Sequence, residues 1–389
     1  MSGRDPLCSP RRFGRGAALT LVFASVLVAG AATGSLPDDE AKTASGAARA
    51  TERTTSPEAV TRAAEEAMAD GKSPLEAAER AVSRSGDRWA AVYSEDEYEE
   101  FAESLDGQYT GVGLEARRER DGRIEVTRVQ AGSPAAAAGI RAGDRLRAVD
   151  GRAVDGRPVT DVVSLLRGDA TDAPAGTTVR LGLERGTRAW TQTLRRARLS
   201  TDSVTVRTLA EGVTVIRITA FTKGVGTAVR TAVGTAPAGA GIVLDLRGNS
   251  GGLVTEAVST ASAFLDGGLV ATYDVDGEQH ALHADSGGDT TRPLVALVDG
   301  GTMSAAELLT GALRDRGRAV VVGSRTFGKG SVQMPSRLPD GSVAELTVGH
   351  YRTPSGRTVD GTGVTPDLEA DDGALERSEA VLSGLGDAS

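Results

Sequence analysis

The sequence predicts a mixed α/β (α+β) protein of more than one domain, and three observations carry that prediction. Short, almost wholly apolar runs at Gly241 to Leu246, Pro293 to Val298 and Ala319 to Val322 alternate with helical patterns, as the buried strands of an α/β layer do. Between Tyr109 and Arg198 the texture changes to short alternating segments separated by Gly- and Pro-containing turns, which suits a mostly β module. Ahead of both, from Ser56, small apolar residues recur at helix spacing. A chain of 389 residues has room for two or three domains and a sizeable core.

Residues 1–35 read as an export signal or membrane anchor. Arg4, Arg11, Arg12 and Arg15 form a basic start, and the uncharged run from Gly16 to Gly34 ends in small residues. Arg11-Arg12-Phe13 is compatible with a twin-arginine signal. The run is near the lower limit for crossing a bilayer, so a retained anchor at 16–34 stands beside a cleaved signal. Cys8 precedes the apolar run, unlike the cysteine of a lipoprotein. The expected location is extracytoplasmic, in the cell envelope or secreted.

Composition excludes several classes. The 53 acidic residues outnumber the 44 basic ones, for a net charge of −9, and the arginines are scattered among acids, so nucleic acid is not an expected partner. One cysteine excludes an intramolecular disulfide and a cysteine metal cage. With aromatics at only 3%, Ala, Val and Leu must build the core.

Residues 36–55, rich in Ala, Thr, Ser and charge, read as a flexible linker. A helical region, 56–108, follows. Ser56-Pro57-Glu58 supplies an N-cap with proline at the first helical position, Val60, Ala64 and Ala67 recur at helix spacing, and Asp70-Gly71 ends the pattern. Ser73-Pro74-Leu75-Glu76 repeats the start signal, and a third helix from Asp96 to Leu105 carries Tyr98, Phe101 and Leu105 on one face.

Residues 109–198 hold strand patterns at Ile124 to Val129, Arg145 to Val149 and Thr178 to Glu184, with a helix over Val159 to Arg167. The loop Gly111-Val112-Gly113-Leu114, followed by Ala131-Gly-Ser-Pro-Ala-Ala-Ala-Ala-Gly-Ile-Arg-Ala-Gly-Asp144 and that helix, resembles a PDZ domain. Consecutive backbone N–H groups in such a loop can hold a peptide carboxylate while the peptide adds to a sheet edge as a strand. The insert Asp169 to Ala175 departs from the pattern and reads as a surface loop.

In residues 199–370, Val213 to Ile218 reads as a strand and Thr227 to Val233 as a helix. The run ending at Leu246 leads into Arg247-Gly-Asn249-Ser-Gly251-Gly252 and a helix from Leu253 to Leu265; the run ending at Val298 leads through Asp299-Gly300-Gly301 to a helix starting near Ser304; Lys329 lies just beyond the third run. Reactive residue types thus follow strand ends, where α/β sheets build sites. Residues 371–389 read as a C-terminal tail.

Ser304 precedes Lys329 by twenty-five positions, with Gln333 four further on. A serine hydroxyl needs a base, and neutral lysine serves if burial draws its pKa far below about 10.4. The pocket should then be poor in carboxylates, and Thr326 to Val332 is uncharged apart from Lys329. Gln333 can orient the amine without adding negative charge. The Ala305 N–H, at a helix start, and a donor from the Gly251-Gly252 turn can meet a developing oxyanion. Taken singly, Ser304 reads as an N-cap and Lys329 as a surface lysine. Gly323 to Gly330 nearly fits a phosphate-binding loop but has Gly330 where Ser or Thr is required. His280 and His283 lie in a polar stretch that reads as a loop, with no third metal ligand nearby. No metal or cofactor is expected.

Together these motifs resemble the carboxyl-terminal processing (tail-specific) protease family across residues 56 to 370. The blocks are Tyr93-Ser with Glu97-Tyr98 and Phe101, the PDZ block, Leu244 to Gly252, the serine segment, Phe327 to Gln333, and Tyr351-Arg-Thr-Pro-Ser-Gly356. The resemblance implies a crotonase/ClpP-like protease core with an inserted PDZ domain and a small N-terminal helical region. It implies Ser304 as nucleophile, Lys329 as general base, Gln333 as the residue positioning it, and Ala305 with Gly251-Gly252 as oxyanion hole. The implied partners are protein or peptide substrates with a free C-terminus; monomer or homo-oligomer is left open. Met303 is a departure, since the family has small residues around its serine. A catalytically inactive PDZ scaffold of the cell envelope is the alternative reading.

Overall fold

The computed structural model describes residues 56–167, 173–209, 212–275 and 277–386. The signal or anchor (1–35), the linker (36–55) and, with Gly168, residues 169–172 of the insert lie outside the described residues. The described chain forms two compact units, one spanning Thr110–Leu199 and the other running to Tyr109 and resuming at Ser200.

Helices α1 (Pro57–Ala69) and α2 (Pro74–Ser85) both begin with proline after a serine, and Ser73 Oγ accepts the Glu76 N–H at 3.2 Å. Strand β1 (Ala91–Tyr93) leads to α3 (Glu95–Leu105), whose start is closed by reciprocal bonds between Ser94 and Glu97. The Tyr93 and Phe101 rings stack at 5.4 Å. Strand β2 (Gln108–Gly111) follows.

The unit from Thr110 to Leu199 contains β3 (Leu114–Arg118), β4 (Ile124–Val129), α4 (Pro134–Ala137), β5 (Arg145–Val149), β6 (Arg152–Ala153), α5 (Val159–Arg167), β7 (Thr178–Arg185), β8 (Arg188–Arg195) and β9 (Ala197–Ser200). Its antiparallel sheet has the order β3-β4-β5-β7-β8. Val179, Leu181 and Leu183 alternate inward along β7 and pack with Val126, Leu146, Val162 and Leu166. The buried Asp144 carboxylate accepts two bonds from Arg185, at 2.6 and 2.8 Å, tying the β5 approach to the end of β7.

The second unit continues with β10 (Val204–Thr208), β11 (Thr214–Ile218), α6 (Val225–Thr235), β12 (Ile242–Asp245), α7 (Val254–Ala261), β13 (Leu269–Val275), β14 (Glu278–His283), β15 (Leu294–Val298), α8 (Ala305–Asp315), β16 (Val320–Gly323), β17 (Ser331–Arg337), β18 (Val343–Arg352), β19 (Leu368–Glu369) and α9 (Ala374–Gly386). One sheet has the order β10-β11-β12-β15-β16-β19, parallel throughout except for β10. Ile216, Leu244 and Ala296 face α6, α7 and α8 through Val229, Ala257 and Leu309, while Val215, Val243 and Leu297 face α9 through Ala374 and Leu382. Both faces are covered, and that is why these strands read as unbroken apolar runs.

A second sheet of the same unit, order β1-β18-β13-β14 with β17 on β18, is antiparallel. Its Ala344 and Leu346 pack under Val60, Ala64, Ala78 and Val82 of α1 and α2. Here the expectation of a loop carrying His280 and His283 is corrected, because both lie on β14, held by pairing to β13. Their odd spacing points them to opposite faces, and His280 stacks on Tyr273 at 5.2 Å. The helix expected from Leu253 to Leu265 is shorter, Val254–Ala261, since residues 262–265 turn to bond with 285–289.

Candidate active site

Because β12, β15 and β16 are adjacent and parallel, the loops that follow them emerge on one rim. Hydrogen bonds stitch the three together. Asn249, fully buried, donates to the Ile218 carbonyl at 3.1 Å and accepts the Gly251 N–H at 2.8 Å, while its carbonyl accepts the Met303 N–H at 2.8 Å. Asp299 Oδ1 accepts N–H groups from Gly248 and Gly301, at 2.8 and 2.9 Å. The Phe327 N–H donates to the Thr302 carbonyl at 3.0 Å, joining the lysine loop to the serine loop.

Ser304 sits immediately before α8 with φ 55° and ψ −118°, a conformation that costs a non-glycine residue roughly 1–3 kcal/mol. Glu307, fully buried one turn along, holds it there. Glu307 Oε2 accepts the Ser304 N–H at 2.9 Å and the Lys329 N–H at 2.8 Å. Oε1 accepts the Gly328 N–H at 2.7 Å and the Thr326 hydroxyl at 2.5 Å. Burial pushes the Glu307 carboxyl above its usual range, and these four donors pull against that. On the other side the buried Tyr351 hydroxyl donates to the carbonyls of Ser304, at 3.0 Å, and Lys329, at 3.2 Å. The serine and lysine segments are therefore clamped twice through their backbones.

Lys329 is largely buried, and desolvation holds its ammonium below the ordinary lysine value. The sequence expectation of a carboxylate-poor pocket needs correction. Residues 326–332 are uncharged around the lysine, but the fold brings Glu345, Asp87 and Glu307 near enough to pull its pKa upward. Desolvation outweighs them. The Lys329 amine also lies 5.0 Å from the centre of the Trp89 ring.

Gln333, on β17, donates through Nε2 to Ser331 Oγ at 2.7 Å and to Thr347 Oγ1 at 3.3 Å. Thr347 in turn donates to Asp87 at 3.0 Å. The amide thus orders a network around Asp87, and these bonds do not run to the lysine amine.

Gly251, at φ +99°, lets its loop approach the serine: a Cβ there would stand 2.9 Å from Ser304 Cβ and 3.3 Å from the Ala305 nitrogen. Its own N–H is taken by Asn249. The Phe221 N–H goes to the Gly251 carbonyl and the Leu253 N–H to the Phe221 carbonyl, both at 2.8 Å, leaving the Gly252 N–H as the outward donor of the pair. Ala305, the first residue of α8, brings its nitrogen close to this glycine loop.

In the other unit, Gly111, Val112, Gly113 and Leu114 span the turn from β2 to β3. The Val112 and Gly113 carbonyls accept N–H groups of Ala135 and Gln130, both at 3.0 Å. Since the N–H of a trans peptide points opposite its carbonyl, those of Gly113 and Leu114 face away from that segment.

Sequence reasoning missed three residues at the site: Glu307, Tyr351 and Trp89. Ser304-x-x-Glu307 is a capping-box spacing and was a usable signal for the first. Tyr351 lay in a recognised block without a role, and Trp89 had no signal.

An α/β core with a strained serine at a helix start, and a separate β unit in the same chain, define the class: serine peptidases with a PDZ domain. Peptidase family S41 matches residues 212–370, and the PDZ domain pattern matches residues 125–185. The carboxy-terminal-processing protease of Bartonella bacilliformis is 30% identical over 328 residues, 82% of this chain and 74% of its own length. The carboxy-terminal processing protease CtpA of Bacillus subtilis is 30% identical over 290 residues, 73% of this chain and 61% of its own. The photosystem II D1 C-terminal processing protease superposes with a TM-score of 0.50 at 30% identity, over 80% of this chain and 86% of that one. The chain spans about three fifths, 60% and 61%, of the first relatives it matches. It belongs to peptidase family S41, the carboxy-terminal processing serine proteases.

Proposed function

We propose that the protein is an endopeptidase that takes the free carboxyl terminus of a protein substrate on its PDZ unit and cleaves through an acyl-enzyme on Ser304. The observation that carries this reading is the single Glu307 oxygen shared by the Ser304 and Lys329 N–H groups, which holds nucleophile and base segments together. Neutral Lys329 takes the Ser304 hydroxyl proton as Oγ attacks the scissile carbonyl carbon. The carbonyl electron pair moves to oxygen, where the N–H groups of Ala305 and Gly252 receive it. Collapse expels the amine, protonated by Lys329, and leaves an ester. Water, deprotonated by Lys329, then releases the acyl product and restores the serine.

The outward N–H groups of Gly113 and Leu114 supply the donors that a terminal carboxylate needs. Gln333 acts on the amine only at a remove, through Thr347 and then Asp87. Export, with residues 16–34 as a cleaved signal or a retained anchor, belongs to the same proposal and is read by cell fractionation. The test of the chemistry is cleavage of an unstructured protein with an apolar tail by the wild type, Ser304→Ala and Lys329→Ala, with labelling by a serine-reactive probe. Both variants should lose cleavage, and the probe should modify Ser304 alone. Undiminished cleavage by either variant overturns the assignment; an unlabelled Ser304 favours the inert scaffold.

A further inference from the structure

Trp89 belongs to no part of the mechanism above, yet it stands against the lysine. It lies in the turn between α2 and β1, where Asp87 Oδ1 accepts the Trp89 and Ala90 N–H groups at 3.0 and 3.1 Å. Asp87 is itself fixed by the Thr347 N–H at 3.1 Å and the Thr347 hydroxyl at 3.0 Å. The indole ring lies 5.0 Å from the Lys329 amine and 5.7 Å from the Phe327 ring, two residues before that lysine. The Arg88 guanidinium stands 4.7 Å from the same ring, and Arg88 also faces Asp360, whose Oδ1 accepts the Gly330 N–H at 3.0 Å. Trp89 Nε1 is buried and has no hydrogen-bond partner among the described residues, a state that costs about 1–3 kcal/mol. A ring held where its polar atom is unsatisfied is held for its face.

We propose that Trp89 is a positioning residue of the reaction, whose indole face seats the Lys329 amine and keeps water from it. The proposal rests on Lys329 being the base. Two effects of the ring oppose each other. A cation over an aromatic face within about 6 Å is stabilised, which favours the charged amine. Exclusion of water disfavours the charged amine, and for a buried lysine this effect is the larger. The other groups facing the amine are the carboxylates of Asp87 from the same turn, Glu307 from α8 and Glu345 from β18. They are unchanged in a Trp89 series, so the series isolates the ring.

The experiment is the pH profile of kcat/KM for full-length wild type, Trp89→Phe, Trp89→Leu and Trp89→Ala, with an unstructured protein substrate. Trp89→Phe keeps a face, loses the orphan donor, and should keep both the profile and the fold. Trp89→Leu keeps the site dry but loses the π face, so its acid limb should move to lower pH. Trp89→Ala admits water, so its acid limb should move to higher pH, with about a tenfold loss below the limb and little at the plateau, since one pH unit is tenfold in the neutral fraction. An unmoved limb in both Leu and Ala variants, or losses equal at every pH, overturns the role of Trp89 while leaving Ser304-dependent cleavage intact. Should Trp89→Ala fail to fold, the contrast between an unmoved limb in Trp89→Phe and a limb moved to lower pH in Trp89→Leu still decides. Cleavage that survives Ser304→Ala would instead sink the underlying Ser/Lys reading.

Discussion

The backbone N–H groups of Ser304 and Lys329 end on the same oxygen of one buried carboxylate, Glu307, at 2.9 and 2.8 Å. That bond pair joins the loops after β15 and β16 without using the side chain of either Ser304 or Lys329. It leaves the hydroxyl and the amine outside the clamp, and it explains how Ser304 is kept at a φ of 55°.

Glu307→Gln should therefore be severe despite its equal size. Either oxygen, replaced by NH2, would face a pair of donors. We expect a loss of about 2–4 kcal/mol in denaturant unfolding and about 100-fold in cleavage. Unchanged stability and rate would remove Glu307 from the clamp.

Lys329→Met should abolish cleavage yet stabilise the protein, because the amine is buried at a cost. Burial sets the folded pKa of Lys329 below its unfolded value of about 10.4, so between the two the unfolded chain holds more protons and wild-type stability climbs with pH. The advantage of the variant, on the order of 1 kcal/mol, should be largest below the folded pKa and vanish above about pH 10.4. Thermal unfolding at several pH values measures this, and an advantage that grows with pH would contradict it.

Gly251→Ala would set a Cβ 2.9 Å from Ser304 Cβ at a φ of +99°. Loop and helix start must part, spoiling the donors at Gly252 and Ala305. We expect kcat to drop on the order of 100-fold with serine-probe labelling slowed in step. A kcat within about threefold of wild type would exclude Gly251 as the close-approach residue.

Amidation of a substrate's C-terminus removes the charge that the Gly113 and Leu114 N–H groups are proposed to meet. KM should rise about tenfold with kcat little changed, the pattern of lost uniform binding. Equal KM for acid and amide would argue against tail capture.

Much of the site was legible from local chemistry. Apolar runs buried on both faces announced β12, β15 and β16, and proline after serine announced α1 and α2. The positions of Ser304 and Lys329 after strand ends followed from those runs. The antiparallel strands β17 and β18 form a hairpin, with Arg337 opposite Val343, yet escaped notice because they carry no clean alternation of buried and exposed residues.

By itself, then, the sequence determined the order of the blocks, the serine-to-lysine spacing and the glycines that admit close approach, since each depends on neighbours along the chain. Only the tertiary structure decided the φ of Ser304, the four-donor burial of Glu307, the binding of Gln333 to Ser331 and Thr347, the carboxylates near Lys329 and the Trp89 face above it. Those are properties of groups brought together from the turn before β1, the start of α8, the loop after β16, and strands β17 and β18. Burial and electrostatic balance exist only once these elements pack, and it is their balance that sets the character of the lysine.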